Sequence, residues 1–150
     1  PLHSLLKNKD VKFIIDSYLN FKSNIYHCIT FFNPVSRSPH YVQSNHRDYD
    51  DWKHLQLSIH WNDIDEENGA MRFYKKSHNS KFLKNNKVDL VGKKGEVFLI
   101  DTYGVHSASK VITRSRFITF IRFAKCVNKL SVVDGFLSTP TKEELNLINI

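Results

Sequence analysis

No stretch of this 150-residue chain approaches the roughly 20 consecutive apolar residues that a membrane-spanning helix needs, so no membrane span is expected. There is no charged-then-apolar leader and no initiating methionine. The sequence starts at Pro1, and some N-terminal sequence is expected to be missing from it. Cysteine is scarce. Cys28 and Cys126 stand far apart and form no C-x-x-C pair, which argues against a disulfide framework and against a thiolate zinc site. Their scarcity is compatible with a reducing, cytoplasmic location. Internal repeats and low-complexity segments are absent as well, and the length suits one domain with a single core better than two.

What is present is ordinary for a soluble globular protein, with 41% hydrophobic and 25% charged residues. The net charge of +7 is largely local. Arg72, Lys75, Lys76, Lys81, Lys84, Lys87, Lys93 and Lys94 face a single acid, Asp89. Such a run can attract nucleic acid, anionic lipid or a phosphorylated substrate, but a solvated loop is the plainer reading. A nucleic-acid module would interleave aromatics with its basic residues. Here the aromatics lie elsewhere, so nucleic acid is not an expected partner.

Apolar residues from Leu2 to Phe21 recur mostly at three- and four-residue intervals with no internal Gly or Pro, which predicts a helix. From Ile25 the texture changes. "IYHCITFF" is β-branched and aromatic and ends at the Asn33-Pro34 turn. "HLQLSIHW" alternates, with Leu55, Leu57, Ile59 and Trp61 on one side and His54, Gln56, Ser58 and His60 on the other. "AMRFY", "VDLV", "EVFLID" and the apolar "RFITFIRFA" read as further strands, and "STPTKEELNLI" as a short helix capped by Thr139 or Thr141. Some seven short strands with polar turns predict an all-β sandwich or barrel with the N-terminal helix packed outside.

The chemistry-bearing stretch is "SNHRDYDDWKH". In extended chain, residues i and i+2 project to one side, so His46 and Asp48 can present an imidazole and a carboxylate together while Arg47 turns away. A third ligand must come from elsewhere. His106, where a strand meets the loop after Gly104, is the candidate. Two imidazoles and one carboxylate form the facial triad of non-haem Fe(II) oxygenases, which leaves adjacent positions for a chelating cosubstrate and oxygen. Ten residues after His106, Arg116 opens an apolar strand. A guanidinium there is costly unless an anion meets it, and a dicarboxylate chelating the metal at its other end would be such an anion.

"HRDYDDWKHLQLSIHWNDIDEENGAMRFYKKSH", "GEVFLIDTYGVHSAS" and "RFITFIRF" together resemble the phytanoyl-CoA dioxygenase family of Fe(II)/2-oxoglutarate-dependent oxygenases over about residues 25–125. The resemblance implies a double-stranded β-helix, the jelly-roll barrel shared with cupins, with Fe(II) in its mouth. It matches His46, Asp48 and His106 to the metal triad and Arg116 to the partner of the 2-oxoglutarate carboxylate. It also makes Asn33 a polar cosubstrate contact. Members often carry a small hydroxyl residue two after the distal histidine; position 108 is alanine here, so Ser107 or Ser109 would supply that hydroxyl. His78, in "KKSH", is expected to be structural. The implied activity is hydroxylation of a small organic substrate by molecular oxygen, with 2-oxoglutarate converted to succinate and CO2. Asp48 favours hydroxylation because related halogenases replace that carboxylate with a small residue. The basic run leans toward an anionic substrate. Two other readings stay open: a cupin-like metal-binding or isomerase barrel without 2-oxoglutarate, and a non-catalytic module that binds an anionic partner through the basic loop.

Overall fold

The structure, a computed structural model, describes residues 2–36, 44–78 and 86–125. The expected C-terminal helix and the middle of the basic loop lie outside the described residues.

The N-terminal periodic segment forms two helices, α1 (Leu2–Leu6) and α2 (Lys9–Leu19), which corrects the expectation of one continuous helix. Asn8 is the reason. Its backbone is extended, at φ −68° and ψ 118°, and its side chain accepts hydrogen bonds from the backbone N–H groups of Asp10 and Val11. An Asn that satisfies the orphan donors of a new first turn starts a helix better than it continues one. Asn20 ends α2 in the left-handed region at φ 63°, with its N–H bonded to the Asp16 carbonyl.

Seven strands follow: β1 (Asn24–Asn33), β2 (His54–His60), β3 (Met71–Tyr74), β4 (Lys87–Leu90), β5 (Val97–Ile100), β6 (His106–Ala108) and β7 (Arg116–Ala124). They form a four-stranded sheet ordered β1-β7-β2-β5 and a three-stranded sheet ordered β4-β3-β6, with every pairing antiparallel. An isolated antiparallel bridge between His46 and His106 adds the segment before β2 to the outer side of β6. The chain therefore winds back and forth between two facing sheets, as in a double-stranded β-helix. The barrel runs from β1 to β7.

β2 shows how the layers are assigned, because all seven of its residues are buried. Leu55, Leu57 and Ile59 join Ile121 and Phe123 of β7, and α2 lays Ile15 and Leu19 on them. The helix thus covers the outer face of the large sheet, and each of its two buried anchors contributes about 1.5–3 kcal/mol. The opposite face turns His54, Gln56, Ser58 and His60 into the barrel. There His54 Nε2 lies 2.9 Å from Thr102 Oγ1.

These inward imidazoles have a consequence for stability. Burial holds His60 and His27 below the ordinary histidine value of 6.5. The unfolded chain takes up protons near 6.5 that the folded chain refuses, so stability is fully present above that value and declines as pH falls below it. The thermal midpoint is expected to drop measurably between about pH 7.5 and about pH 5.5. A flat profile across that window would contradict the burial of these rings.

Candidate metal centre

The bridge between His46 and His106 is reciprocal, each N–H donating to the other's carbonyl at 2.9 Å. Directly paired residues in an antiparallel bridge project to the same face, so the two rings meet, with centroids 4.3 Å apart. Asp48, two residues on, shares that face, and its N–H is fixed to the Thr102 carbonyl at 3.0 Å. One ligand atom each from His46, Asp48 and His106 lies within 4.8 Å of the others. The Asp48 carboxylate stands 3.9 Å from His46 Nε2 through Oδ1 and 3.7 Å from His106 Nε2 through Oδ2.

The tautomers follow from the partners. His46 Nδ1 sits 2.8 Å from the Ser44 carbonyl and His106 Nδ1 sits 3.0 Å from the Gly104 carbonyl. A carbonyl can only accept, so Nδ1 carries the proton in each ring, and both Nε2 lone pairs face the Asp48 carboxylate. Burial pushes the His106 imidazole below its ordinary range, outweighing the opposing pull of Asp48, and keeps it in the neutral form a metal requires. Gly104 is needed for this approach: a Cβ there would sit 2.6 Å from the Phe73 ring and 3.1 Å from His78. Arg47 turns out of the cluster, donating to the Tyr103 carbonyl at 2.8 Å and lying over the Tyr103 ring.

Arg116 is 8% exposed, and among the described residues no carboxylate pairs with it. Its Nε donates to Asn33 Oδ1 at 3.0 Å, its register partner on β1, and its Nη1 donates to the Gly69 carbonyl. Burial alone lowers its pKa to about 10, still far above neutrality, so it is a charged guanidinium without a counter-ion. Ser109 is also buried, with its N–H on the Ala70 carbonyl and its Oγ without a hydrogen-bond partner among the described residues. Arg116 and Ser109 therefore grip adjacent residues, Gly69 and Ala70. Ser107 pairs with Arg72 in register and alternates to the side of β6 opposite His106.

The "ND-x-D-x-x-NG" stretch builds this corner. Asn62 Nδ2 donates to the Ser115 carbonyl at 2.9 Å and its Oδ1 accepts from Phe117 N–H at 2.8 Å, which clamps the chain on both sides of Arg116. Asp65 Oδ1 accepts from the N–H groups of Glu67 and Asn68, closing the turn. Fully buried Asn68 ties that turn to the Asp63 carbonyl at 2.8 Å. Gly69 follows at φ +95°, where a Cβ would stand 2.9 Å from Val111 and 3.0 Å from Arg116 Cδ. Gly69→Ala is therefore expected to cost about 2 kcal/mol or more, as strain plus overpacking, and to displace the Arg116 side chain. Urea unfolding measures the first effect, and a denaturation curve superimposable on that of the unsubstituted protein would refute it.

Sequence reasoning missed a second arginine. Arg122 lies six residues after Arg116, so strand alternation puts both on one face of β7. Arg122 donates to Gln56 Oε1 at 3.0 Å through Nε, to Asp50 through Nη1, and to Asp48 Oδ2 at 3.1 Å through Nη2. Asp50 also accepts from the Tyr26 hydroxyl at 2.8 Å, a residue re-aimed by the register shift between Ile25 and His27. Burial would raise the Asp50 carboxyl, but Arg122 and Tyr26 outweigh it and hold it low. Asp50 is thus an internal counter-ion, and His54 is a buried residue of β2.

His78 lies at the polar corner of a cleft of about 290 Å³ that opens between α2 and the barrel edge. Phe73, Leu90, Phe98 and Ile100 line it on the barrel side, and Ile14 and Tyr18 on the helix side. Asp101 holds the Tyr18 hydroxyl at 2.6 Å and lies 3.5 Å from His78 Nε2. Part of the basic run is internally balanced: Arg72 and Lys87 flank Asp89 at 3.4 and 2.9 Å, and Lys93 meets Asp63 at 3.0 Å. No helix among the described residues is long and apolar enough to cross a membrane.

The family profile for phytanoyl-CoA dioxygenase matches residues 2–117. No curated protein matches the sequence. Among solved structures, EctD from S. alaskensis with bound Fe superposes with a TM-score of 0.65 at 16% identity, covering 81% of this chain and 52% of that one. The non-haem α-ketoglutarate-dependent epimerase SnoN from nogalamycin biosynthesis gives a TM-score of 0.66 at 14% identity, covering 83% and 57%. The non-haem monooxygenase ThoJ in its Ni complex gives 0.63 at 18% identity, covering 83% and 51%. At these identities the likeness is one of fold, and the chain spans little more than half the length of each of these structures.

Proposed function

The chain belongs to the phytanoyl-CoA dioxygenase family, and on that premise we propose that it is an Fe(II)- and 2-oxoglutarate-dependent oxygenase that hydroxylates a small organic substrate. One observation carries the proposal. Two imidazole Nε2 atoms and one carboxylate converge in the same barrel as a buried guanidinium that has no acid partner among the described residues.

The residues fit the groups they would hold. His46, Asp48 and His106 offer a donor set of two neutral nitrogens and one anionic oxygen, suited to a divalent first-row metal with positions left open. Arg116 offers charge and a fork to a carboxylate, and the buried Ser109 hydroxyl, which has no hydrogen-bond partner among the described residues, offers one more hydrogen bond. Bound Fe(II) would supply the capacity to reduce molecular oxygen, 2-oxoglutarate leaving as succinate and CO2 and the second oxygen atom entering a substrate C–H bond. The protein's own contribution is orientation. Asn33 holds Arg116 Nε, Asn62 fixes the backbone around it, and the Nδ1 contacts with Ser44 and Gly104 aim the two imidazoles. Phe31, Phe120 and Ile118 keep the interior between the arginines of β7 apolar and poor in water. Asp48 supplies a carboxylate where a halide would need a vacancy, which favours oxygen insertion. The cleft beside Phe73 is almost wholly apolar, so it suits an apolar portion of the substrate better than the anionic one suggested by the basic run.

Anaerobic addition of 2-oxoglutarate to the Fe(II)-loaded protein is expected to give a weak visible charge-transfer band. Admitting oxygen should then release succinate. Iron bound without such a band would favour a cupin-like metal barrel. A product isomeric with its substrate would favour an epimerase, whereas gain of one oxygen atom supports hydroxylation.

A further inference from the structure

The proposed reaction gives no task to the Arg122 cluster, yet it reaches the candidate metal centre directly. We propose that Arg122, anchored by Gln56 and Asp50, is a positioning residue that holds the Asp48 carboxylate to one-oxygen metal coordination.

A carboxylate can ligate through one oxygen or chelate through both. Chelation would occupy a position that the cosubstrate or oxygen needs. Arg122 Nη2 donates to Asp48 Oδ2 at 3.1 Å, which ties up the oxygen 3.7 Å from His106 Nε2 and leaves Oδ1, 3.9 Å from His46 Nε2, for the metal. The guanidinium is planar and its three nitrogens point in fixed directions, so its grip is only as firm as its other two contacts. Both are built in. Gln56, directly across from Arg122 in the β2–β7 register, accepts from Nε at 3.0 Å. Asp50 accepts from Nη1 and is itself held by the Tyr26 hydroxyl.

Charge balance gives Asp50 a second purpose. Arg122 alone would cancel the charge of Asp48 and weaken it as a ligand. With Asp50 present the three groups sum to −1, so the centre keeps an anionic oxygen for a divalent cation while its orientation is fixed. The i, i+2, i+4 spacing of His46, Asp48 and Asp50 draws two of the ligands and this counter-ion from one short segment.

Because this role presupposes the metal centre proposed above, the experiment separates the two. Co(II) is titrated anaerobically into the unsubstituted protein and into His46→Ala, Arg122→Met, Arg122→Lys and Asp50→Asn, with visible d–d spectra and 2-oxoglutarate affinity of the Co(II) forms as readouts. Arg122→Met is expected to alter the spectrum and to weaken 2-oxoglutarate binding about 10- to 100-fold, the range typical for partners of metal ligands. Arg122→Lys keeps the charge without the fork, so it should recover thermal stability but retain the altered spectrum. It also carries the test if the methionine variant fails to fold. Asp50→Asn is expected to weaken Co(II) binding itself. Unsubstituted spectra and 2-oxoglutarate affinity in folded Arg122→Lys and Arg122→Met would overturn the positioning role while leaving the metal centre intact. Failure of the unsubstituted protein to bind Co(II), or binding unaffected by His46→Ala, would overturn both.

Discussion

His106→Ala is expected to lower Fe(II) affinity on the order of 100- to 1000-fold and to abolish succinate formation at ordinary iron concentrations. The magnitude follows from dividing the free energy of a small multi-ligand metal site among its ligands, roughly 3 kcal/mol each. His106 is the strongest test of the three candidates because its ring is buried, pre-oriented through Nδ1 on Gly104 and held neutral by its surroundings. His46 is half-exposed and carries less pre-organisation. Anaerobic titration with Fe(II) or Co(II), followed by succinate release in air, measures both effects. An alanine variant that binds metal as tightly as the unsubstituted protein would remove His106 from the site.

Arg116→Met is expected to raise the KM for 2-oxoglutarate about 150- to 5000-fold while changing Fe(II) affinity by less than about 3-fold. A buried ion pair that loses one partner costs roughly 3–5 kcal/mol, which sets the first range. The second reflects the separation of tasks: the metal-facing atoms belong to other residues. Arg116→Lys should recover only part of the loss, because an ammonium supplies charge without a planar fork. Arg116 also braces Asn33 and Gly69, so unfolding must be measured alongside. If the methionine variant folds and keeps its 2-oxoglutarate KM, the guanidinium serves the structure of the Gly69 turn and the cosubstrate binds elsewhere.

The strands were legible because their residues are locally consistent. "HLQLSIHW" alternates, and β2 is the strand it predicts. The helix break at Asn8 was also written in the sequence, as an N-cap residue inside a helical period, but apolar spacing alone passes over it. Arg122 was readable by parity once Arg116 was placed on an inward face. What hid it was the assumption that "RFITFIRF" has only one charge requiring a partner. Asp50 was hidden for a different reason: in a run of acids beside "HRDYDDWKH", nothing local distinguishes an internal counter-ion from a solvated loop residue. The bulge that turns Tyr26 toward Asp50 depends on how β1 registers against β7, and no local signal in β1 specifies it.

By itself the sequence determined the kind of fold and the pool of candidate ligands. Alternation, turn chemistry and the i, i+2 rule are properties of a few neighbouring residues, and they are set before any long-range contact forms. They name His46 and Asp48 as a pair and "RFITFIRF" as a buried strand. Only the tertiary structure decided which distant groups meet. His106 reaches His46 through a two-hydrogen-bond bridge across sixty residues of chain, Arg116 is buried against Asn33 and Gly69 with no acid among the described residues, and Arg122 closes on Asp48 and Asp50. Those meetings depend on strand register and sheet order, where a shift of one residue would turn every side chain to the other face.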